Sequence, residues 1–263
     1  MVQKKMASDQ VSNKTLKLVI AVDAFIIHLE RAPARLPQVE RLCQQLPIAT
    51  SIIPAVDGKS LTGQEKAHYK HHLMRPSYPF PLRLTEIAAF HSHRACWQAI
   101  IDQGLDAALI LEDDVTLEEP FFSQAFSATL TNMIQGDVVR FAVKASERPR
   151  NILSPGPGPR IMVPRSIGLG MQAQIVTREA ARILLEKTQK FDRPVDTYLQ
   201  LRWHHSVRVL TVSPSGVREI SAEMGGSLIG EHKEFLEIIF REVLRPIYRL
   251  NLFLCQLLKD LKG

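Results

Sequence analysis

The sequence contains little cysteine and no long uninterrupted apolar segment. Only three of its 263 residues are cysteines, Cys43, Cys96 and Cys255, and their spacing forms no C-x-x-C pair. This spacing excludes a zinc ribbon and a disulfide framework, and it favours a reducing compartment. The mainly apolar stretch 18–29 is broken by an aspartate and is too short to span a bilayer. Because residues 1–17 also lack the apolar core of a signal peptide, we expect a cytoplasmic protein with a flexible leader at 1–17.

Neither sign of charge dominates the sequence. There are 33 Lys and Arg against 27 Asp and Glu, and 45% of the residues are hydrophobic. These values are typical of a globular protein and exclude a disordered or fibrous chain. The net charge of +6 suits an anionic partner such as a nucleotide or an acidic lipid. We expect no nucleic-acid partner, because the basic excess is small and the arginines form no aromatic-interleaved helix outside the C-terminal tail.

The order of the segments predicts one α/β domain with a mostly parallel central sheet. Runs rich in β-branched residues alternate with segments in which apolar residues recur at helical spacing. We assign this domain to residues 18–225, between the leader and a C-terminal amphipathic helical tail at 226–263. Residues 146–166 hold five prolines and two glycines, which predicts a long irregular loop within the domain.

A run of three carboxylates, Glu112, Asp113 and Asp114, follows a predicted buried strand at 107–111. Open α/β sheets bind ligands at the carboxyl ends of their strands, so the run is expected at a ligand site. Adjacent carboxylates repel one another, and Mg²⁺ or Mn²⁺, which prefer oxygen ligands, would relieve that repulsion. The alternative is a solvated acidic turn that ends the strand.

Five motifs follow one another along residues 25–200. They are FIIHLER at 25–31 with Arg35, PAVDG at 54–58, LTEIAAFHSH at 84–93, LILEDDV at 109–115, and IGLG at 167–170 followed by RPVD at 193–196. In this order the chain resembles glycosyltransferase family 25, which includes bacterial lipooligosaccharide galactosyl- and glucosyltransferases and collagen galactosyltransferases. It departs from the family's usual residues at His28 and Glu30 of the first motif.

The resemblance implies a GT-A fold with a nucleotide-binding sheet and an inverting, metal-assisted hexose transfer. The implied donor is UDP-galactose or UDP-glucose, and the implied acceptor is a lipooligosaccharide, lipopolysaccharide or related surface glycan. The implied cofactor is Mn²⁺ or Mg²⁺, which would neutralise charge on the diphosphate leaving group. By the same resemblance, Asp114 contacts the metal, Glu112 acts at the metal through water or at the ribose, and Asp113 lies with the donor.

An inverting transfer also requires a general base beside the acceptor hydroxyl. Asp196 of the RPVD motif is our candidate, and the alternative is that it caps the helix that follows it. His93 matches the family motif and is predicted as a site residue, whereas His91 is predicted to pack in the core. His204 and His205 are predicted to be surface histidines, with a role as a metal ligand as the alternative.

Arg31 and Arg35 follow the first predicted strand, where nucleotides commonly bind in sheets of this kind. Arginine forms bidentate hydrogen bonds with phosphate, so both are candidates for binding the donor. The alternative is a solvated charged turn. Asp57 is a third donor-binding candidate, through the ribose or the uracil, although an Asp-Gly turn requires no function.

The C-terminal segment lies beyond the resemblance. From residue 236 to residue 261 its apolar residues recur at helical spacing, with Arg241, Arg245 and Arg249 on another face and Pro246 predicting a kink. This pattern favours a helix lying on an anionic membrane surface at the inner face of the cytoplasmic membrane. The alternatives are packing on the domain or on another copy of the chain.

Two other classes of function stay open. A metal-dependent phosphoesterase would use the acidic run and the histidines, but those groups match no recognised hydrolase motif. A non-catalytic protein that binds sugars or nucleotides would use the same cavity without transferring a group. Manganese-dependent binding of a nucleotide sugar distinguishes the transferase from the phosphoesterase, and turnover distinguishes it from the binding protein.

Overall fold

A mixed eight-stranded sheet forms the centre of the structure, a computed structural model that describes residues 20–144, 146–224 and 235–260. The predicted leader at 1–17 lies outside these residues. The strands are β1 (Val22–His28), β2 (Thr50–Pro54), β3 (Ala107–Glu112), β4 (Val115–Leu117), β5 (Asp137–Phe141), β6 (Pro149–Ile152), β7 (Arg160–Pro164), β8 (Ala173–Thr177), β9 (Arg208–Ser213) and β10 (Val217–Glu219). The main sheet has the order β2-β1-β3-β8-β5-β9-β7-β6, and β10 pairs separately with β4.

Helices cover both faces of the main sheet. The described helices are α1 (Leu36–Gln45), α2 (Gly63–His68), α3 (Leu84–Asp102), α4 (Phe121–Asn132), α5 (Arg178–Lys187), α6 (Val195–Leu199), α7 (Arg202–His205) and α8 (Phe235–Asp260). Successive side chains of a strand point to opposite faces, so Phe25 and Ile27 of β1 pack with α3, α5 and α6. Ala24 and Ile26 of the same strand pack with α1 and α4 on the other face. The sheet therefore separates two hydrophobic cores.

Six of the eight strands in the main sheet run in one direction. β1 is parallel to β2 and β3, and β5 is parallel to β9, whereas β8 is antiparallel to both β3 and β5. β7 is antiparallel to β9 and to the edge strand β6. The prediction of an α/β fold with a mostly parallel sheet is confirmed. The two reversed strands, β7 and β8, were not predicted.

The parallel part of the sheet positions the predicted motifs. Residues 107–111 of β3 are fully buried, as expected of a strand covered on both faces by helices. Because β2, β1 and β3 are parallel neighbours, their carboxyl ends meet at one edge. That edge carries the turn after β2, the turn after β1 and the acidic run after β3.

The helix α3 carries the LTEIAAFHSH motif at 84–93. Its start is stabilised by Glu86, whose Oε2 accepts the backbone N–H of Arg83 at 2.8 Å. Gly104 follows the helix with a φ of 64°, a conformation that favours glycine. α3 lies between β1–β3 and α5, so His93 in its first half is buried.

The predicted loop at 146–166 is wrong, because the segment contains strands β6 and β7. They pair antiparallel as a hairpin, and the Pro-Gly repeat at 155–159 lies in its connection. Pro149 is tolerated because β6 is an edge strand, where a residue without an N–H leaves no internal hydrogen bond unmade. Proline content indicated a break, but the pairing with β9 decided the strand.

The predicted C-terminal tail is partly described, as α8; residues 226–234 and 261–263 of that prediction lie outside the described residues. α8 contains Pro246 and contacts the domain through Tyr248, which is buried. None of the helices that the structure describes combines the length and apolar character needed to cross a membrane. Large apolar side chains of α8 are exposed: Val243, Ile247, Leu250, Phe253, Leu254, Leu257 and Leu258.

Candidate active site

A cavity, here called the first cavity, lies at the edge where β2, β1 and β3 end. It is lined by residues from the turns after all three strands and from α3. The structure brings the predicted donor and metal residues together there, since its lining includes Arg31, Arg35, Asp57, Glu112, Asp113 and Asp114. His93 of α3 lines it as well.

Asp113 lies at the floor of the first cavity in a buried ion-pair network. Its Oδ1 accepts a hydrogen bond from Arg35 Nη1 at 2.5 Å, and its Oδ2 lies 2.8 Å from His28 Nδ1. All three residues are buried. A buried charge requires such partners, because removing it from water costs several kcal/mol. Arg35 and Asp113 therefore fix the turn after β1 to the end of β3, and their predicted contact with a donor stays a prediction.

Asp114 is the acidic residue with an unsatisfied oxygen. Burial, and then the nearby carboxylate of Glu112, raise the pKa of Asp114 to about 7. Its Oδ1 is buried without a hydrogen-bond partner within the described part of the chain. A carboxylate held in this way is suited to a cation, which would supply the missing partner.

The described residues contain no group of three or more His, Cys, Asp or Glu side chains arranged to hold a metal ion. A nucleotide-dependent Mg²⁺ site needs fewer, because that ion commonly uses one or two carboxylates together with water and substrate phosphates. Asp114 and Glu112, both lining the first cavity, fit this smaller ligand set.

His93 is buried between a glutamine and the acidic run. Its Nδ1 lies 3.2 Å from Gln174 Nε2, and its Nε2 lies 3.4 Å from Glu112 Oε1. Gln174 is fully buried on β8 next to β3. The motifs did not indicate Gln174, and the available signal was a lone glutamine inside the apolar run at 173–177.

The turn after β2 is attached to α3 and to the turn after β1. The N–H of Val56 donates to Ser92 Oγ at 2.9 Å, and Arg31 Nε donates to Asp57 Oδ2 at 2.6 Å. The hydrogen bond from Arg31 lowers the pKa of Asp57. A Cβ at Gly58 would lie 3.0 Å from the backbone N of Thr85, so any larger residue would push against the start of α3, and the close approach favours glycine.

A second cavity lies beside the first. Its lining includes Tyr78, Phe80, Glu86, Asp196, Arg245, Tyr248 and Arg249. Ala89, His93 and Glu112 line both cavities. The predicted donor residues Arg31, Arg35 and Asp57 line the first cavity alone, as Asp114 does, whereas the predicted base Asp196 lines the second cavity alone.

Asp196 is held in one orientation at the second cavity. Its Oδ2 accepts the N–H of Gly170 at 2.9 Å, and its Oδ1 accepts the N–H of Thr197 at 2.6 Å. The alternative prediction, that Asp196 caps the following helix, is wrong. Pro194 is the N-cap residue of α6, and Asp196 lies within the first turn.

The loop that contacts Asp196 depends on a buried ion pair that sequence reasoning missed. Arg140 Nη1 donates to Glu147 Oε1 at 2.5 Å, and Arg140 Nη2 donates to the carbonyl oxygen of Gly170 at 3.1 Å. The same Glu147 oxygen accepts the N–H of Gly168 at 2.8 Å. Arg140 and Glu147 thus position the Gly168–Gly170 backbone that holds Asp196.

The remaining histidines do not line either cavity. His91 is buried as predicted, with Nε2 3.1 Å from the carbonyl oxygen of Glu65. The prediction of a surface position is wrong for His205, which is fully buried. Burial lowers the pKa of His205 to about 4, so the ring is neutral at physiological pH. His204 is half-buried beside Tyr198.

Comparison with known proteins gives one family. The sequence model of Glycosyltransferase family 25 (LPS biosynthesis protein) matches residues 21–199. A Glycosyltransferase 25 family member of Drosophila melanogaster is 34% identical over 128 residues, covering 46% of this chain and 21% of that protein. Procollagen galactosyltransferase 1 of Danio rerio is 33% identical over 118 residues, covering 43% of this chain and 18% of that protein.

Some related proteins are named inactive. The Inactive glycosyltransferase 25 family member 3 of Mus musculus is 29% identical over 123 residues, covering 44% of this chain and 21% of that protein. The alignments thus span about a fifth of the length of these relatives.

Proposed function

We propose that this chain, which belongs to glycosyltransferase family 25, transfers a hexose from a UDP-sugar to a surface glycan such as lipooligosaccharide or lipopolysaccharide. One observation carries the proposal. The first cavity, with its basic and acidic groups, meets the second cavity at His93 and Glu112. We propose that the fold is of the GT-A type, with the donor in the first cavity and the acceptor in the second.

The donor would occupy the first cavity. Arg31, on the cavity wall, has an exposed guanidinium that can reach a phosphate, and Asp57 beside it can accept a hydrogen bond from a ribose hydroxyl. Asp114 and Glu112 are the residues that would hold Mn²⁺ or Mg²⁺, whose charge would offset the negative charge on the leaving diphosphate. Arg35 and Asp113 would fix the floor beneath the donor.

The acceptor would occupy the second cavity, with Asp196 as general base. In an inverting transfer the acceptor oxygen forms a bond to the anomeric carbon while the bond from that carbon to the diphosphate breaks. Asp196 would take the proton of the acceptor hydroxyl, and the diphosphate would leave as UDP. His93 lies where the two cavities meet, and the transferred sugar must pass there. Gln174 would orient His93, and His93 would in turn position Glu112.

We also propose that the protein is cytoplasmic and lies peripherally on the inner face of the cytoplasmic membrane. The exposed apolar side chains of α8 support this, because such a face can enter the boundary between headgroups and acyl chains. Arg245 and Arg249, which the sequence assigned to headgroups, line the second cavity instead. Loss of vesicle binding by a chain truncated after residue 231 tests the proposal, and unchanged binding would remove it.

The transferase proposal is tested with purified protein, UDP-galactose, UDP-glucose and Mn²⁺. We expect manganese-dependent binding of one donor, seen as a raised melting temperature, and slow release of UDP by donor hydrolysis. Asp114→Asn is expected to lose both, because it removes one of two charged metal ligands. Glu118→Gln, a change at an exposed carboxylate away from both cavities, is the matched control. If no donor binds with Mn²⁺, or if Asp114→Asn behaves as the wild type does, the proposal is wrong.

A further inference from the structure

The wall of the second cavity is partly built by α8, outside the segment that matches the family. The family match ends at residue 199, whereas α8 spans Phe235–Asp260. Three of its residues, Arg245, Tyr248 and Arg249, line the second cavity together with Asp196. This part of the second cavity is therefore built by residues that the family match does not include.

A buried contact fixes α8 at that position. Arg193 is fully buried, and its Nη1 donates to Tyr248 Oη at 2.7 Å. Its Nε donates to Asp192 Oδ1 at 2.7 Å, so the guanidinium is itself held in place. Tyr78 packs edge-on against Tyr248, with ring centroids 5.3 Å apart. These contacts lock the turn of α8 that contains the two arginines.

The two arginines have few partners of their own. Arg245 and Arg249 are four residues apart, so they lie on one face of α8. Arg245 lies 3.5 Å from the exposed Glu242 carboxylate, a weak solvated pair. Arg249 forms no ion pair with any residue in the described part of the chain. Their guanidinium groups are available to a ligand in the second cavity.

Two carboxylates that also line the second cavity, those of Glu86 and Asp196, already accept hydrogen bonds. Glu86 accepts the N–H of Arg83, and Asp196 accepts the N–H groups of Gly170 and Thr197. The second cavity thus combines carboxylates that already accept hydrogen bonds with two arginines that have available donors. A ligand that contacts both Asp196 and α8 would place a hydroxyl toward Asp196 and an anionic group toward the arginines.

We infer that Arg245 and Arg249 recognise an anionic group, a phosphate or a carboxylate, on the acceptor sugar. The inference rests on the proposed function, because it takes the second cavity as the acceptor side. Arginine matches both groups by paired N–H donors, which a neutral acceptor cannot use. An acceptor with such a group is selected over its neutral counterpart, and the group's position directs which hydroxyl faces Asp196.

The experiment uses matched sugar probes with the first cavity filled by UDP and Mn²⁺. Binding of glucose 6-phosphate, glucuronate, glucose and inorganic phosphate is measured by calorimetry for the wild type and for R245Q/R249Q. We expect glucose 6-phosphate to bind at least about tenfold more tightly than glucose, and the double variant to lose that difference. R182Q, which changes an exposed arginine of α5 away from the cavity, is the matched control and should keep it.

Different results separate the possible failures. UDP binding that is absent from the wild type contradicts the proposed function, whereas R245Q/R249Q should leave UDP binding unchanged. Equal affinity for glucose and glucose 6-phosphate, or a preference that survives in R245Q/R249Q, overturns the acceptor inference. Inorganic phosphate binding as tightly as the sugar phosphate overturns it too.

A third arm of the experiment uses phosphatidylglycerol vesicles. If the double variant loses only vesicle binding, the arginines contact lipid and the inference is wrong.

Discussion

At the first cavity the charges of Asp113 and Arg35 are paired and buried, whereas at the second cavity α8 contributes two arginines that have few partners. Asp113, Arg35 and His28 form a closed network at the ends of β1 and β3. Arg245 and Arg249 instead project from a helix that Tyr248 attaches to the domain. The two groups of charges therefore have different roles. The buried pair of Asp113 and Arg35 contributes to the stability of the fold, and the available arginines of α8 contribute to the choice of ligand.

The largest expected effect is on the floor of the first cavity. Asp113→Ala breaks the buried ion pair with Arg35, so we expect the free energy of unfolding to fall by about 3–5 kcal/mol. Urea denaturation followed by circular dichroism measures this. Asp57→Asn, which breaks the exposed pair with Arg31, is the control and should cost at most about 1 kcal/mol. Similar small losses in both variants would show that the floor is not the stabilising region.

The next effect is expected in acid, at the buried His205 that contacts α6. Val207 N–H donates to His205 Nδ1 at 3.1 Å, while Nε2 lies 3.0 Å from the carbonyl oxygen of Leu199 in α6. Burial lowers the pKa of His205 to about 4, so between about pH 6.5 and that value the unfolded chain binds more protons than the folded chain. Stability is therefore complete above about pH 6.5 and falls toward pH 4, by up to about 3 kcal/mol.

Urea denaturation between pH 7.5 and pH 4.5 measures this dependence. A His205→Gln variant is the comparison, because it retains the carboxylates that also titrate in acid. Its stability should be lower at pH 7.5 but should decline less steeply. Parallel curves for the two proteins would exclude His205 as the cause of the acid sensitivity.

The smallest of the three effects concerns the attachment of α8. Tyr248→Phe removes the hydroxyl that accepts from buried Arg193, and a hydrogen bond to a charged group contributes about 1.5–3 kcal/mol. We expect a loss of stability in this range, with the KM for the acceptor raised and the KM for the donor unchanged. Leu254→Ala, at an exposed position of the same helix, is the control for stability. A raised donor KM would show that the two cavities are not separable.

Much of the fold and part of the site could be predicted from local sequence. The buried apolar run at 107–111 predicted β3. The acidic run and the Val-Asp-Gly turn follow parallel strands, so their common location at the sheet edge followed from the topology. The prediction failed at 146–166, where proline and glycine indicated a loop but pairing with β9 formed a strand.

Residues outside the motifs could not be found in this way. Gln174 acts through its neighbour His93, which is 81 residues away in sequence, and Arg140 acts through the carbonyl of Gly170. Tyr248 meets Arg193 across 55 residues. No pattern within a single segment indicates such pairs, because each polar side chain contacts a group that lies far away in the sequence.

The sequence by itself determined the α/β class, the family and the groups available for chemistry, since these depend on local periodicity and on motif order. Only the tertiary structure decided which charged side chains pair with one another and which are available to a ligand. Asp113 and Arg35 neutralise each other because β1 and β3 are neighbours, and Arg245 and Arg249 stay available because α8 meets the domain through Tyr248. A direct ion pair needs its charged atoms within about 4 Å of each other, and only folding sets those distances.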